Sequence, residues 1–172
     1  MSVKEKHIKA VQQMNNRYIC KAKRKDNGEW VYGYYVFQRK RSGVFGQVIS
    51  ELDCDRHLII DLRGNSYEVI PETVGQCTGL TDKNGRLIFT GDVLHIKTGE
   101  GWSCPVGTDV YYKVVFTEFN RGNATWTQYI GFMAKGLGSV HGLYSIQNIV
   151  RSYGAEVIGN IHDNPDLLEV ER

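Results

Sequence analysis

One hundred and seventy-two residues, 41% apolar and 23% charged, carry 21 Lys and Arg against 19 Asp and Glu, for a net charge of +2. That composition excludes a disordered chain and leaves enough length to bury a core in one or two small domains. No apolar run reaches the roughly 18 residues of a membrane-spanning helix, and the four scattered cysteines, without a CxxC pair, exclude a disulfide scaffold and a zinc-finger pattern.

In chain order the elements are mostly short strands. Ile8, Val11 and Met14 share one side of a short helix over residues 3–14, whose thin stripe would be marginal alone. Arg17–Arg24 alternates Tyr18, Cys20 and Ala22 with Ile19, Lys21 and Lys23. Asp26-Asn27-Gly28 signals a turn, and Glu29–Arg39 returns as a strand rich in aromatic and β-branched residues, giving a hairpin. Gly33, in the middle of that strand, predicts a bulge or a close backbone approach. Beyond the basic loop Arg39-Lys40-Arg41-Ser42-Gly43 come strands near Val44–Ile49, His57–Leu62 and Ser66–Ile70, the last two joined by Arg63-Gly64-Asn65.

Pro71–Gly79 is too rich in Gly and Thr for a helix and reads as a connector between two β units. Asn84-Gly85 marks a tight hairpin, and Gly91-Asp92 a turn into the alternating strand Val93–Lys97. Val110–Thr117 and Ala124–Phe132 supply two further strands. Leu143, Ile146, Ile149 and Val150 share a helical face over 143–151, and Ala155–Ile161 is a closing strand. Asn164-Pro165-Asp166 has the N-cap, early proline and dipole-facing acid of a final helix. The expected fold class is mainly β. A possible helical extension over 1–16 precedes a first β unit over 17–70. A second unit over 71–172 opens like an SH3-like barrel, and short helices lie at the termini.

Charge is unevenly spread. Residues 1–41 hold eleven Lys and Arg with three Asp and Glu; the remainder holds ten and sixteen. Lys21, Lys23, Arg24, Lys25, Arg39, Lys40 and Arg41 fall on the hairpin and its following loop, interleaved with Trp30, Tyr32, Tyr34 and Tyr35. Cations beside aromatic rings are how small β folds stack single-stranded bases and follow their backbone. The competing reading puts these rings in the core of the first unit and the lysines on a solvated face.

Around the connector, Glu72, Gln76, Thr78, Asp82 and Asp92 read either as partners of turn amides or as the polar contacts of a cleft. Asp53, Cys54, Asp55, His57 and Asp61 would offer donors to a divalent ion only on a shared strand face; an intervening turn makes solvated side chains the expectation, and no metal or cofactor is assigned. His162 reads as a surface residue entering the last helix, and His7, His95 and His141 stand alone. There is no G-x-S-x-G elbow, no P-loop and no H-x-E…C-x-x-C set, so no catalytic residue is assigned.

Three stretches resemble the YopX family of phage and prophage proteins: Tyr67–Ile96, Glu156–Glu169 and Asn27–Val36. The central motif runs Pro71-Glu72-Thr73-Val74-Gly75-Gln76, Thr78-Gly79-Leu80, Asp82-Lys83-Asn84-Gly85 and Gly91-Asp92. The resemblance covers most of residues 17–169; Cys77 stands where the family usually has an aromatic residue, and 98–150 is long and loop-rich. It implies a phage or prophage origin, a bacterial host cytoplasm and small β units with an SH3-like second half, and it implies no known reaction.

The expectation is therefore a non-catalytic accessory module that binds a macromolecule through exposed aromatic residues or a strand edge, the partner being a protein or a second copy of the chain. A nucleic-acid binder using the basic hairpin is the alternative, and an enzyme with a cleft at residues 71–92 the third reading. No membrane association and no small-molecule substrate are expected, and the basic N-terminus lacks the apolar core of a signal peptide, consistent with a cytoplasmic protein.

Overall fold

The alternating N-terminal run folds as β1 (Ile19–Lys23) and turns at Asp26–Gly28 into the nine-residue β2 (Trp30–Gln38). These assignments come from a computed structural model that describes residues 16–39, 55–99, 105–120, 128–137 and 143–168. The expected helix over 3–14 and strand at Val44–Ile49 lie outside the described residues. The chain divides into two compact units, the first being Arg17–Gln76 and the second containing Cys77–Arg172.

In the first unit, β2 pairs antiparallel with β1 through Trp30–Tyr34 and with β3 (Arg56–Ile60) through Tyr34–Gln38; β3 in turn pairs with β4 (Ser66–Glu68). The sheet then curls back. Just after β4, Val69 bridges Arg24, Lys25 N donates to Glu68 O (2.9 Å) and Ile70 N to Lys23 O (2.9 Å). The turn Pro71–Thr73 fastens this return: Thr73 Oγ1 accepts from Lys23 N (2.8 Å) and donates to Ile70 O (2.7 Å). The first unit thus extends through Gln76, six residues beyond the division read from the sequence.

Among the described residues this unit has a small core cluster. Ala22, Ile59 and Val69 are buried, with Cys20, Val31 and Val74 packed against them. Gly33 is the close approach its position predicted. A Cβ there would sit 2.1 Å from Ile60 O, far inside contact distance, so only glycine lets β3 cross so near.

Gly75–Gly79, expected as connector, is instead part of β5 (Gly75–Thr81). Low strand propensity is overridden by pairing on both stretches: Gly75 and Gln76 pair with Lys21 and Cys20 of β1, while Cys77 and Thr81 pair with Phe89 and Leu87 of β6 (Leu87–Phe89). In the second unit a five-stranded antiparallel sheet has the order β10-β9-β8-β7-β11. The strands are β7 (Asp92–Lys97), β8 (Asp109–Asn120), β9 (Gln128–Leu137), β10 (Leu143–Ser145) and β11 (Glu156–Asn160). β10 and β11 are its outer strands, so the described strands form an open sheet rather than the closed barrel expected.

Leu94 and Ile96 of β7, Val110, Tyr112 and Val114 of β8 and Ala134 of β9 line one buried face. Helix α1 (Ile146–Tyr153) lays Ile146 and Ile149 on that core and ends at Gly154 in the left-handed conformation (φ 60°), which favours glycine. The helix starts three residues later than its apolar spacing suggested, because Leu143–Ser145 pairs with Lys135–Met133. The expected final helix is a single 3-10 turn, Pro165–Leu168. Among the described residues no helix is long and apolar enough to cross a membrane.

Candidate macromolecule-binding face

Strand register sorts the side chains of the first unit. Lys21 stands opposite Tyr32, Lys23 opposite Trp30 and Ile19 opposite Tyr34; Tyr34, Val36 and Gln38 stand opposite Ile60, Leu58 and Arg56, and Leu58 opposite Glu68. Directly paired residues share a face. One face therefore carries Lys21, Lys23 and Arg56 with Trp30, Tyr32, Tyr34 and Val36, and Lys25 reaches onto it to bind Glu68. The other face carries Ala22, Val31, Gly33 and Ile59, the core side.

The first face is aromatic and basic. Tyr32 is 49% exposed and Tyr34 46%. Lys21 is buried, its amine 4.7 Å from the centre of the Trp30 ring, and Lys23 approaches the same ring at 5.7 Å, a desolvated and a half-exposed cation–π pair. Glu68 is the only carboxylate among these residues. Lys25 Nζ bonds its Oε1 (2.7 Å) and Arg56 its Oε2 (3.2 Å). Lys25, and after it Arg56, hold the Glu68 carboxyl below the usual carboxylate range. Among the described residues, four cations thus share this face with one carboxylate.

The basic set named from the sequence is divided by this register. Arg24 lies on the opposite face, its guanidinium 4.7 Å from the centre of the Tyr67 ring and bonded to both carboxylate oxygens of Asp26. Arg39 is exposed just past β2; Lys40 and Arg41 lie outside the described residues. Arg56, Glu68 and Tyr34 complete the face. Alternation in β1 and β2 was enough to group Tyr34 with Trp30 and Tyr32, but nothing local signals that Arg56 or Glu68 joins them.

The connector residues are divided between the two units. Glu72 and Gln76 are exposed in the first unit, and Gln76 Nε2 reaches Arg17 O (3.4 Å). In the second unit Thr78 Oγ1 donates to Ile88 O (2.9 Å) and accepts from Leu80 N (3.2 Å). Asp82 is 6% exposed: its Oδ1 accepts from Asn84 N (2.8 Å) and Arg86 N (2.9 Å), and its Oδ2 from Val157 N (3.1 Å). Asp92, 1% exposed, accepts from Phe89 N (2.9 Å) and from Asn160 Nδ2 (3.0 Å). Both carboxylates answer backbone or amide donors that burial would otherwise leave costly, which favours the turn-partner reading of Asp82 and Asp92 over the cleft reading.

Of the acidic cluster, Asp53 and Cys54 lie outside the described residues. Asp61 caps its own turn, accepting from Arg63 N and Asn65 N (both 2.8 Å) and Asn65 Nδ2 (2.9 Å); the Asn65 side chain leads in holding its carboxyl below the usual range. His57 is held on the core-side face at the end of β2, its Nδ1 bonded to Tyr35 Oη and its ring 5.0 Å from that of Phe37. His95, given no role from the sequence, binds Asp109 Oδ1 through Nε2 (2.7 Å) beside the Tyr111 ring. That nitrogen is consumed by a neighbouring strand's carboxylate.

A comparison of the whole chain decides its family: the model of the family described as YopX protein matches residues 9–169. The chain belongs to the YopX family. No curated protein matches this YopX chain in sequence. Among solved structures, it is similar to the crystal structure of protein EF1440 from Enterococcus faecalis, at 22% identity and a TM-score of 0.40, over 87% of this chain and 96% of that one. The family match spans both units: Asp82 and Asp92 of the central motif stitch the second, and the aromatic and basic face lies on the first.

Proposed function

We propose that this YopX protein is a non-catalytic phage or prophage accessory module of the bacterial cytoplasm, and that it acts by binding a macromolecule through the aromatic, basic face of its first unit. The observation that carries this reading is the coincidence of Tyr32, Tyr34 and Val36, all exposed, with the lysines that strand register sets beside them. Tyrosine supplies contact area with little loss of side-chain freedom and a polar tip, which suits it to interfaces. The saturated carboxylates of the central motif support the non-catalytic part, since a group already bonded to turn amides is poorly placed to move a proton.

Strand addition is a weaker route to a partner. At β11, Val157 N donates to Asp82 and Ala155 O accepts from Lys83 N (2.9 Å), and the end of β4 is bonded to the end of β1. Capped edges resist pairing with another chain, so contact falls to side chains. The test is photo-crosslinking in bacteria, with benzoylphenylalanine in place of Tyr34 or of the exposed Val106 in the second unit. Macromolecular adducts at position 34, reduced by Val36→Ser and absent at 106, are expected. No adduct at 34, or equal adducts at both, overturns the reading.

A further inference from the structure

Resting on that reading, we infer that the partner of this face is single-stranded nucleic acid, its bases stacking on Tyr32 and Tyr34 while its phosphates meet Lys23, Lys25 and Arg56. Two features of the face point to this chemistry together. The first is charge: among the described residues four cations share it with one carboxylate, Glu68, which engages two of them. A phosphate arriving here meets more cations than carboxylates among these residues and can compete for the donors that Lys25 and Arg56 direct at Glu68.

The second is geometry. Tyr32 and Tyr34 are two residues apart on one strand, so their backbone positions repeat along the same face at about 6.8 Å, on the side of Lys23 rather than that of the core. An extended strand with splayed bases can meet such a platform one base per ring, whereas a duplex keeps its bases paired and stacked out of reach. An acidic protein segment would satisfy the cations but offers no flat bases to stack on the exposed Tyr32 and Tyr34. That second class of partner is decided by the experiment.

The probe is fluorescently labelled oligothymidylate, or oligouridylate in a parallel arm, of about 15 nucleotides, read by polarisation with the full chain. Binding is expected at low salt, with log Kd changing against log salt by a slope of about 2, for roughly three phosphate contacts on a single strand. Lys23→Glu should weaken it at least several-fold, and Tyr32→Ala and Tyr34→Ala by roughly 5- to 100-fold each. Tyr34→Phe, which keeps the ring, should bind within a few-fold of the parent and shows that any loss in Tyr34→Ala is not misfolding. A duplex of the same length should bind more weakly. Preference for one of the two arms identifies the strand as DNA or RNA.

No binding at about 50 mM salt, or binding unchanged in the Tyr32→Ala/Tyr34→Ala double variant, overturns the inference. Protein adducts at position 34 in cells, with no oligonucleotide binding, would leave the broader reading of the face standing and remove nucleic acid as its partner. Absence of both removes the two together.

Discussion

Replacing Asp82 separates a stitch from a reactive group. Its two oxygens hold three backbone N–H groups: two in its own turn, and Val157 N, 75 positions along the chain. Asp82→Ala removes all three acceptors at once. A hydrogen bond to a charged group contributes about 1.5–3 kcal/mol. Asn84 and Arg86 are exposed, so water recovers most of the two turn bonds; Val157 is buried, and its N–H is left without an acceptor. The net loss is about 3–4 kcal/mol, a large share of the roughly 5–15 kcal/mol that holds a domain folded. For a chain of this size that lowers Tm by about 10 °C.

Asp82→Asn separates the parts. The amide oxygen still serves the turn, but the amide nitrogen now confronts Val157 N, donor against donor, at an expected loss of about 2 kcal/mol. Thermal unfolding followed by circular dichroism should thus rank parent above Asn above Ala. Oligonucleotide binding at a temperature where all three are folded should be unchanged, because Asp82 lies in the second unit. A melt of Asp82→Ala within about 2 °C of the parent would refute the structural account of this carboxylate.

Gly33→Ala forces a Cβ against Ile60 O, so β2 and β3 must separate. A loss of about 2–4 kcal/mol is expected, and faster amide exchange in β2 and β3 than in β7 and β8 would locate it. Glu68, whose carboxyl is depressed by Lys25 and Arg56, contributes stability that is present above its unfolded value of about 4.3 and lost as pH falls through its lower folded value. Glu68→Gln should therefore melt below the parent at neutral pH and converge with it in acid; a constant gap down to pH 2 counts against the ion pairs. Burial pushes the Cys77 thiol up, so labelling by a thiol reagent should be slow in the folded protein and fast in denaturant. Rapid native labelling, measured on Cys77 by peptide mass, would place this side chain nearer solvent than its buried position in β5.

Much of the architecture is written locally. Alternation in Ile19–Lys23 and Val93–Lys97, and the turn at Asn84-Gly85, depend on neighbours within a few residues, so mainly β structure, most strands and the close approach at Gly33 were legible. What failed did so where a distant partner decides. Gly75–Gly79 is a poor strand by composition and becomes one because β1 and β6 offer ladders on either side of Cys77. Leu143–Ser145 suits a helix until β9 takes it as a strand.

The candidate face divides in the same way. The one-letter order of β1 and β2 already determined that Lys21 and Lys23 alternate away from Cys20 and Ala22, and that Trp30, Tyr32 and Tyr34 share a side, since the pleat reverses at every residue. Only the tertiary structure decided which side is the core, that Glu68 would draw Lys25 from 43 residues away, and that Asp82 would spend its charge on Val157. Period-two alternation is a property of one strand; pairing between strands depends on loop closure and burial across the whole unit, and no local pattern records it.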